Sequence, residues 1–357
     1  MSKVAIITGC GGLIGSECVK YYAPKFDSII GIDCDARKEF FGEKASVQDS
    51  IDHLKTTYPN FKCIYADISD NSAVTKIFDY WTCNPAEDVK LIIHTAAQPS
   101  HDLAAQIPHR DFMVNAVGTL NLLEATRTYC PEAVFIFTST NKVYGDRPNT
   151  DFHYVEMDKR YEVMDTGVQA GYSFGINEKL SIDNTTHSLF GVSKASADLM
   201  VQEYGKYFGL KTGIFRGGCL TGPNHKGAEQ HGFLSYLCYC IKHEKPYTIY
   251  GYQGKQVRDI IHAYDVVTAF DEFYKNPTFG EVYNLGGGRH SNCSMWEAIS
   301  IIENKTGKKA SWTYNVNARK GDHKWYISDM SKFRKRYTKW NYKYNLDQII
   351  DEILEVV

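Results

Sequence analysis

No apolar run in this chain approaches the roughly 20 residues that a bilayer-spanning helix requires. The N-terminus passes straight into a strand-like segment, without the apolar core of a signal peptide. Charge of one sign is lacking too: 40 Lys and Arg against 42 Asp and Glu leave a formal charge of −2. That balance offers no basic stripe for nucleic acid or for an anionic membrane surface. The ten cysteines are scattered, and only Cys238 and Cys240 are close. In a helical stretch that spacing puts them on different faces, so neither a disulfide framework nor a metal site is indicated. Free thiols in a cytoplasmic protein are the expectation. What is present is length: 357 residues can bury a large core in one or two domains, and most of the 25 Tyr and 18 Phe must lie in it.

Residues 4–8 are an apolar run that breaks into Gly9-Cys10-Gly11-Gly12-Leu13-Ile14-Gly15 and reopens as a helix. A strand, a glycine turn and a helix N-terminus in that order form a dinucleotide phosphate loop, although any tight strand-to-helix turn can use glycine. The next strand-like segment, Ser28–Asp33, ends in a carboxylate able to accept both hydroxyls of an adenosine ribose and to repel a 2′-phosphate, so NAD is favoured over NADP. Arg37, four residues on, moderates that preference. Residues 35–57 read as a helix with an approach loop, and Phe61–Tyr65 as a third strand. Asp67-Ile68 after it either faces an adenine or, through Asp67, caps the helix over residues 70–78. Residues 89–94 form a further apolar strand, followed by the small residues Thr95-Ala96-Ala97 and Gln98, which let a ligand or a helix lie against backbone. A helix over 111–127 carrying Asn115 and a buried strand over 132–137 complete a regular alternation. Such alternation gives an α/β, doubly wound parallel sheet with helices on both faces. The strand at 135 runs into Thr138-Ser139-Thr140-Asn141-Lys142-Val143-Tyr144-Gly145-Asp146, more polar than turn chemistry alone requires. Residues 147–184 read as a substrate lid. His187-Ser188-Leu189-Phe190-Gly191-Val192-Ser193-Lys194 then opens a helix, with Phe190 and Lys194 one turn apart on one face.

Together these residues resemble the extended short-chain dehydrogenase/reductase family of NAD(P)-dependent nucleotide-sugar epimerases and dehydratases. Gly9-x-x-Gly12-x-x-Gly15, Asp33, Thr138-Ser139-Thr140, Val143-Tyr144-Gly145 and Lys194 carry the likeness. Residues 139–146, His187-Ser188, Phe208-Gly209-Leu210 with Phe215-Arg216, and residues 254–259 extend it nearly end to end, toward the members that epimerise CDP-linked sugars at C2. The resemblance implies a Rossmann-type NAD domain over residues 1–216 and a smaller nucleotide-sugar domain over 217–357, with 255–283 returning to the first. It implies NAD contacts from Gly9, Gly12, Leu13, Ile14, Asp33, Asp67, Ile68, Thr95, Ala96, Ala97, Gln98, Asn115 and Lys194. Substrate contacts would come from Gln98, His187, Arg258, Arg319 and Asp322. The two arginines would clamp the diphosphate of a nucleotide-diphosphate sugar, or Arg258 would instead pair with Asp259 or Asp265. Residues 284–288 resemble a structural return segment. Helices at 111–127 and 190–204 correspond to those that form the family's homodimer.

One position departs from the family. Its acid–base tyrosine, four residues before the lysine, is Phe190 here, which has no proton to exchange. Thr140 and Lys194 remain, and Asn141-Lys142 stand where the family's dehydratases carry an Asp-Glu pair for water elimination, so epimerisation or a simple redox step fits better. Lys142, His187, Tyr172 and Cys219 are the candidates for a relocated base. The alternatives are a substitution that traps a complex and a binding protein without turnover.

Overall fold

Val4, Ala5, Ile6 and Ile7 are all fully buried because their strand, β1 (Ser2–Thr8), lies inside a seven-stranded sheet. The other strands are β2 (Ser28–Asp33), β3 (Phe61–Tyr65), β4 (Glu87–His94), β5 (Val134–Thr140), β6 (Lys211–Gly217) and β7 (Glu281–Leu285). Their order is β7-β6-β5-β4-β1-β2-β3. β1 pairs in parallel with β2 and with β4, and the β2–β3 and β4–β5 pairings are also parallel. Strand order therefore reverses between β1 and β4, where a doubly wound sheet opens its ligand crevice. Flanking helices include α1 (Leu13–Tyr22), α2 (Asn71–Thr82), α3 (Gly118–Tyr129) and α4 (Leu189–Phe208). Ile6, Ile32, Val74, Phe78, Ile92, Leu122, Phe135, Val201 and Ile214 meet in one core.

This computed structural model describes residues 1–164, 171–225, 232–319 and 321–357. The chain divides into a first unit, Met1–Thr140, Leu189–Arg216 and Val267–Val282, and a second, Asn141–Ser188, Gly217–Val266 and Tyr283–Val357. The expected boundary differs in two places: residues 141–188 belong to the second unit, and the return to the first is confined to Val267–Val282. In the second unit, Pro246–Tyr250 pairs in parallel with Ser311–Asn315. Val257–His262 pairs with Cys219–Thr221, Asn292–Ser294 and Trp325–Tyr326. The helix Phe233–Lys242 packs on Met295–Thr306 and Leu346–Val356, and Leu237, Ile249, Ile260, Ile302 and Ile353 join that core. Among the described residues no helix is long and apolar enough to cross a membrane.

Cys238 and Cys240 are free thiols on one helix, and both are fully buried because that helix is covered by helices on one side and a strand on another. Other local readings change where distant contacts intervene. The helix expected over 35–57 is two, Ala36–Phe41 and Gln48–Thr57, separated at Gly42 (φ 85°). The Asp35 carboxylate ties the return by accepting from the Val47 N–H (2.8 Å) and the Ser46 hydroxyl (2.6 Å). The helix expected over 111–127 begins at Pro108 and widens to a π-turn over Met113–Val117 before α3. The stretch 147–184 contains a short helix, Arg147–Thr150, and a hairpin, Tyr154–Glu156 with Tyr161–Val163. Part of that lid assignment, residues 165–170, lies outside the described residues, as do residues 226–231 and Lys320.

Candidate functional site

In the first unit the glycine turn follows β1 directly. Gly9 has φ 67°, and a Cβ there would stand 2.8 Å from the Ala96 nitrogen, so only glycine lets the turn approach the end of β4. A Cβ on Gly15 would overlap the Gly9 carbonyl, which fixes how closely α1 packs on the turn. Gly12 sits in extended conformation at the N-cap and contributes no side-chain cap. The opening N–H groups of α1, from Leu13 and Ile14, have no acceptor within the helix, which suits an anion. The Ile14 side chain itself is buried in the core. These residues fit a dinucleotide pyrophosphate: an uncovered helix start faces a turn that side chains would fill.

Asp33 ends β2 half-buried, and its carboxylate accepts N–H groups of Gly11 and Asp35, each at 2.9 Å. Burial raises its pKa, an effect those N–H groups oppose. Thr95 and Ala96 are laced to β1, the Thr95 hydroxyl donating to the Thr8 carbonyl (2.7 Å) and the Ala96 N–H to the Thr8 hydroxyl (3.2 Å). Thr95, Ala96 and Ala97 are half-buried beside the turn.

Four expected contacts turn out to be committed internally. Asp67 binds Arg110 (2.7 Å) and the Ser69 N–H and hydroxyl (2.9 and 2.7 Å), while Asp70, not Asp67, caps α2. Ile68 is buried against Gly118. Gln98 is fully buried, its amide donating to Ser100 and Asp111 (2.8 Å each) and accepting the Ser100 N–H (2.6 Å). Asn115 accepts the Gln98 N–H (3.0 Å) and faces the Gln98 carbonyl, Asp111 and Ser193. Gln98 and Asn115 therefore lock the segment after β4 to the π-turn and to α4. This arrangement does not leave Gln98 presented to a sugar.

Lys194 projects from α4 with its ammonium on the Thr138 carbonyl (2.8 Å) and 4.2 Å from the Phe137 ring centre. Burial lowers its pKa to about 7, against the pull of Asp198 and Asp111. Phe190, one turn earlier, is buried, and Thr140 ends β5 half-buried. Sequence reasoning overlooked the group that aligns these elements. Asp198 takes a two-point fork from Arg216 (3.0 and 2.9 Å) and the Ser139 hydroxyl (2.6 Å). Its spacing of four from Lys194 was the available signal.

The second unit gathers a different set. Lys142 donates to the Gly321 carbonyl (2.8 Å) and lies 4.0 Å from the Asp322 carboxylate, which is ion-paired with Arg258. Arg258, Arg319 and Asp322 line one cavity of about 70 Å³ with Tyr247, Tyr250 and Gln256. The pairings considered for Arg258 give way to Asp322. The Asp259 carboxylate accepts N–H groups of Gly288 and Ser328 (3.1 and 2.9 Å), and that of Asp265 those of Lys343 and Tyr344 (2.9 and 3.1 Å). Burial pushes Asp322 toward its neutral form, but the Arg258 and Lys142 charges more than reverse this and hold it below the usual carboxylate range. Burial lowers Lys142 to about 8, with Asp322 opposing and the Arg258 charge assisting. His187 Nε2 contacts the Val143 carbonyl (2.8 Å), so that nitrogen carries the proton. Asn141 is buried. Of the other base candidates, burial pushes Cys219 up to about 12 and raises Tyr172, which packs edge-on against Phe152.

Residues 5–286 match the NAD dependent epimerase/dehydratase family. The chain is 30% identical over 334 residues to a CDP-paratose 2-epimerase of Salmonella typhi, covering 92% of this chain and 91% of that one. It is 26% identical over 335 residues to a UDP-glucuronate 4-epimerase of Thermodesulfobacterium geofontis, covering 92% and 88%. Among solved structures, the UDP-glucuronic acid 4-epimerase of Bacillus cereus, in complex with UDP-glucuronic acid and NAD, superposes with a TM-score of 0.77 at 22% identity, over 99% of this chain and 98% of that one.

Proposed function

The chain belongs to the NAD dependent epimerase/dehydratase family, and we propose that within this NAD-dependent family it epimerises a nucleotide-diphosphate sugar, a CDP-sugar at C2. The observation that carries this reading is Lys142, an amine and not a carboxyl group, donating to Gly321 beside Asp322. Elimination of water would need carboxyl groups at 141 and 142, whereas transient oxidation does not. Likeness to CDP-paratose 2-epimerase supports the choice of nucleotide and carbon.

The first unit holds NAD through the turn of Gly9 and Gly12, the N–H groups of Leu13 and Ile14, and Asp33 on the adenosine ribose. Lys194 takes the nicotinamide ribose. Bound NAD supplies a reversible hydride acceptor, through which a sugar alcohol becomes a ketone and returns with the opposite configuration. In the second unit Arg258 and Arg319 receive the diphosphate, whose oxygens match their planar forks. Asp322, expected near the ribose, positions Arg258. Two cations, Arg258 and Arg319, around one carboxylate leave a positive excess that suits a diphosphate. Thr140 hydrogen-bonds the reacting oxygen, and neutral Lys142 accepts the hydroxyl proton that Phe190 cannot; a lysine poised near pH 8 is suited to general-base work. His187 positions the sugar. Two copies pair through α3 and α4, and on α4 Leu189, Val192 and Leu199 are exposed.

The test is incubation with CDP-paratose in deuterated water. Formation of CDP-tyvelose with little deuterium at C2 is expected, because the hydride leaves and returns without exchange. Substantial deuterium would indicate proton abstraction from carbon instead. The second reading, a binder without turnover, is favoured by Phe190 alone. It predicts bound NAD and nucleotide, seen by mass spectrometry after denaturation, with no product from CDP-, UDP- or GDP-sugars.

A further inference from the structure

Cys10 lies inside the glycine turn, and its sulfur stands 3.7 Å from that of Cys63 on β3, two strands away from β1. Gly31 of β2 makes this meeting possible. It pairs with Ile7 on one side and Cys63 on the other, and a Cβ there would stand 2.5 Å from the Cys10 sulfur. A glycine in the middle of a buried strand otherwise weakens it, so the vacancy above Gly31 marks a close approach. Cys10 is fully buried while Cys63 is half-buried, so only Cys63 is open to a reagent from solvent.

We propose that Cys10 and Cys63 form a reversible dithiol–disulfide site, oxidised by hydroperoxides, that closes the dinucleotide turn when the disulfide forms. The inference rests on assigning that turn to NAD. Cys63 is the attacking group. Its contact with Cys10 lowers the Cys63 pKa, with Lys55 assisting, while the same contact and burial raise that of Cys10. The Cys63 thiolate attacks one peroxide oxygen; an S–O bond forms, the O–O bond breaks, and the departing oxide takes up a proton. Cys10 then attacks the Cys63 sulfur. An S–S bond forms, the S–O bond breaks, and hydroxide leaves with the Cys10 proton as water. Two thiols lose two electrons to one peroxide.

The sulfurs must close from 3.7 Å to about 2.05 Å. Cys63 is held in the β2–β3 ladder, whereas Cys10 follows Gly9 in a turn, so the turn moves. The movement draws Gly11 from the Asp33 carboxylate, which now accepts its N–H at 2.9 Å.

The experiment treats the reduced full-length protein with hydrogen peroxide and reads three things: loss of two hydrogens by intact mass, a Cys10–Cys63 linked peptide, and NAD affinity by titration. Linkage with NAD affinity at least tenfold weaker, reversed by dithiothreitol and slowed by prior NAD, is expected. Cys63→Ser should keep the reduced affinity in peroxide, and Cys63→Ala provides a second variant if serine disturbs the strand. Absence of the linked peptide while exposed Cys34 and Cys83 are oxidised would overturn the proposal. So would linkage through Cys34 instead, or a linked protein that binds NAD as the reduced one does. Reduced protein that fails to bind NAD at all would instead remove the assignment of the turn to NAD, whatever the thiols do.

Discussion

Asp198 and Arg216 form a buried two-point ion pair, Nε to Oδ2 at 3.0 Å and the second nitrogen to Oδ1 at 2.9 Å, one helical turn beyond Lys194. It joins α4 to β6, and through the Ser139 hydroxyl to β5 next to Thr140. Asp198→Asn leaves Arg216 charged and buried, so stability should fall by about 3–5 kcal/mol. The double change Asp198→Leu with Arg216→Met should cost less than either single one, because no orphaned charge remains. Urea unfolding of Asp198→Asn, Asp198→Leu, Arg216→Met and the double variant checks both statements.

Asp33 should set cofactor choice. Its carboxylate repels a 2′-phosphate, so NAD should bind at least tenfold more tightly than NADP, about 1.4 kcal/mol. Asp33→Ala should weaken NAD selectively and narrow that ratio. Equal affinities in titrations of the unaltered protein would remove Asp33 from this role.

Lys142 should impose a pH dependence. Only its neutral form accepts a proton, and its pKa of about 8 lies below that of a free lysine. Turnover should therefore rise with pH up to about 8 and level off above, provided CDP-sugar remains saturating. Lys142→Arg stays charged throughout and should lose kcat far more than it raises KM. A variant that mainly raises KM would make Lys142 a diphosphate contact only.

Phe190→Tyr separates a lost base from a moved one. With Lys142 as acceptor, the added hydroxyl should change the rate little. Recovery of the roughly 10²–10⁴-fold that a positioned acid–base group supplies would show that Lys194 activates a phenol there and that Lys142 does not act. His187→Gln, run beside it, should raise KM and leave the pH profile in place.

The Gly15 packing makes a structural prediction about the same cofactor. Gly15→Ala places a methyl against the Gly9 carbonyl, so α1 must retreat from the turn. NAD affinity should drop at least tenfold while the helical circular dichroism is preserved.

The doubly wound sheet, the glycine turn and the acid ending β2 were legible in the chain itself. Each is written locally, in uninterrupted apolar runs for strands buried on both faces and in glycines where a side chain has no room. The tertiary structure alone decided which polar groups are spent on the protein. Gln98 and Asn115 look available in sequence, yet they satisfy each other and Asp111 in a buried lock. Arg258 has Asp259 beside it and Asp265 nearby, yet it pairs with Asp322, 64 positions away. Cys10 in the turn and Cys63 on β3, 53 apart, meet only because Gly31 of β2 has no side chain to fill the space beside the Cys10 sulfur. Strand patterns follow from nearest neighbours, whereas the partner of a buried charge or thiol is set by the register of whole elements. No short stretch of the chain carries that register.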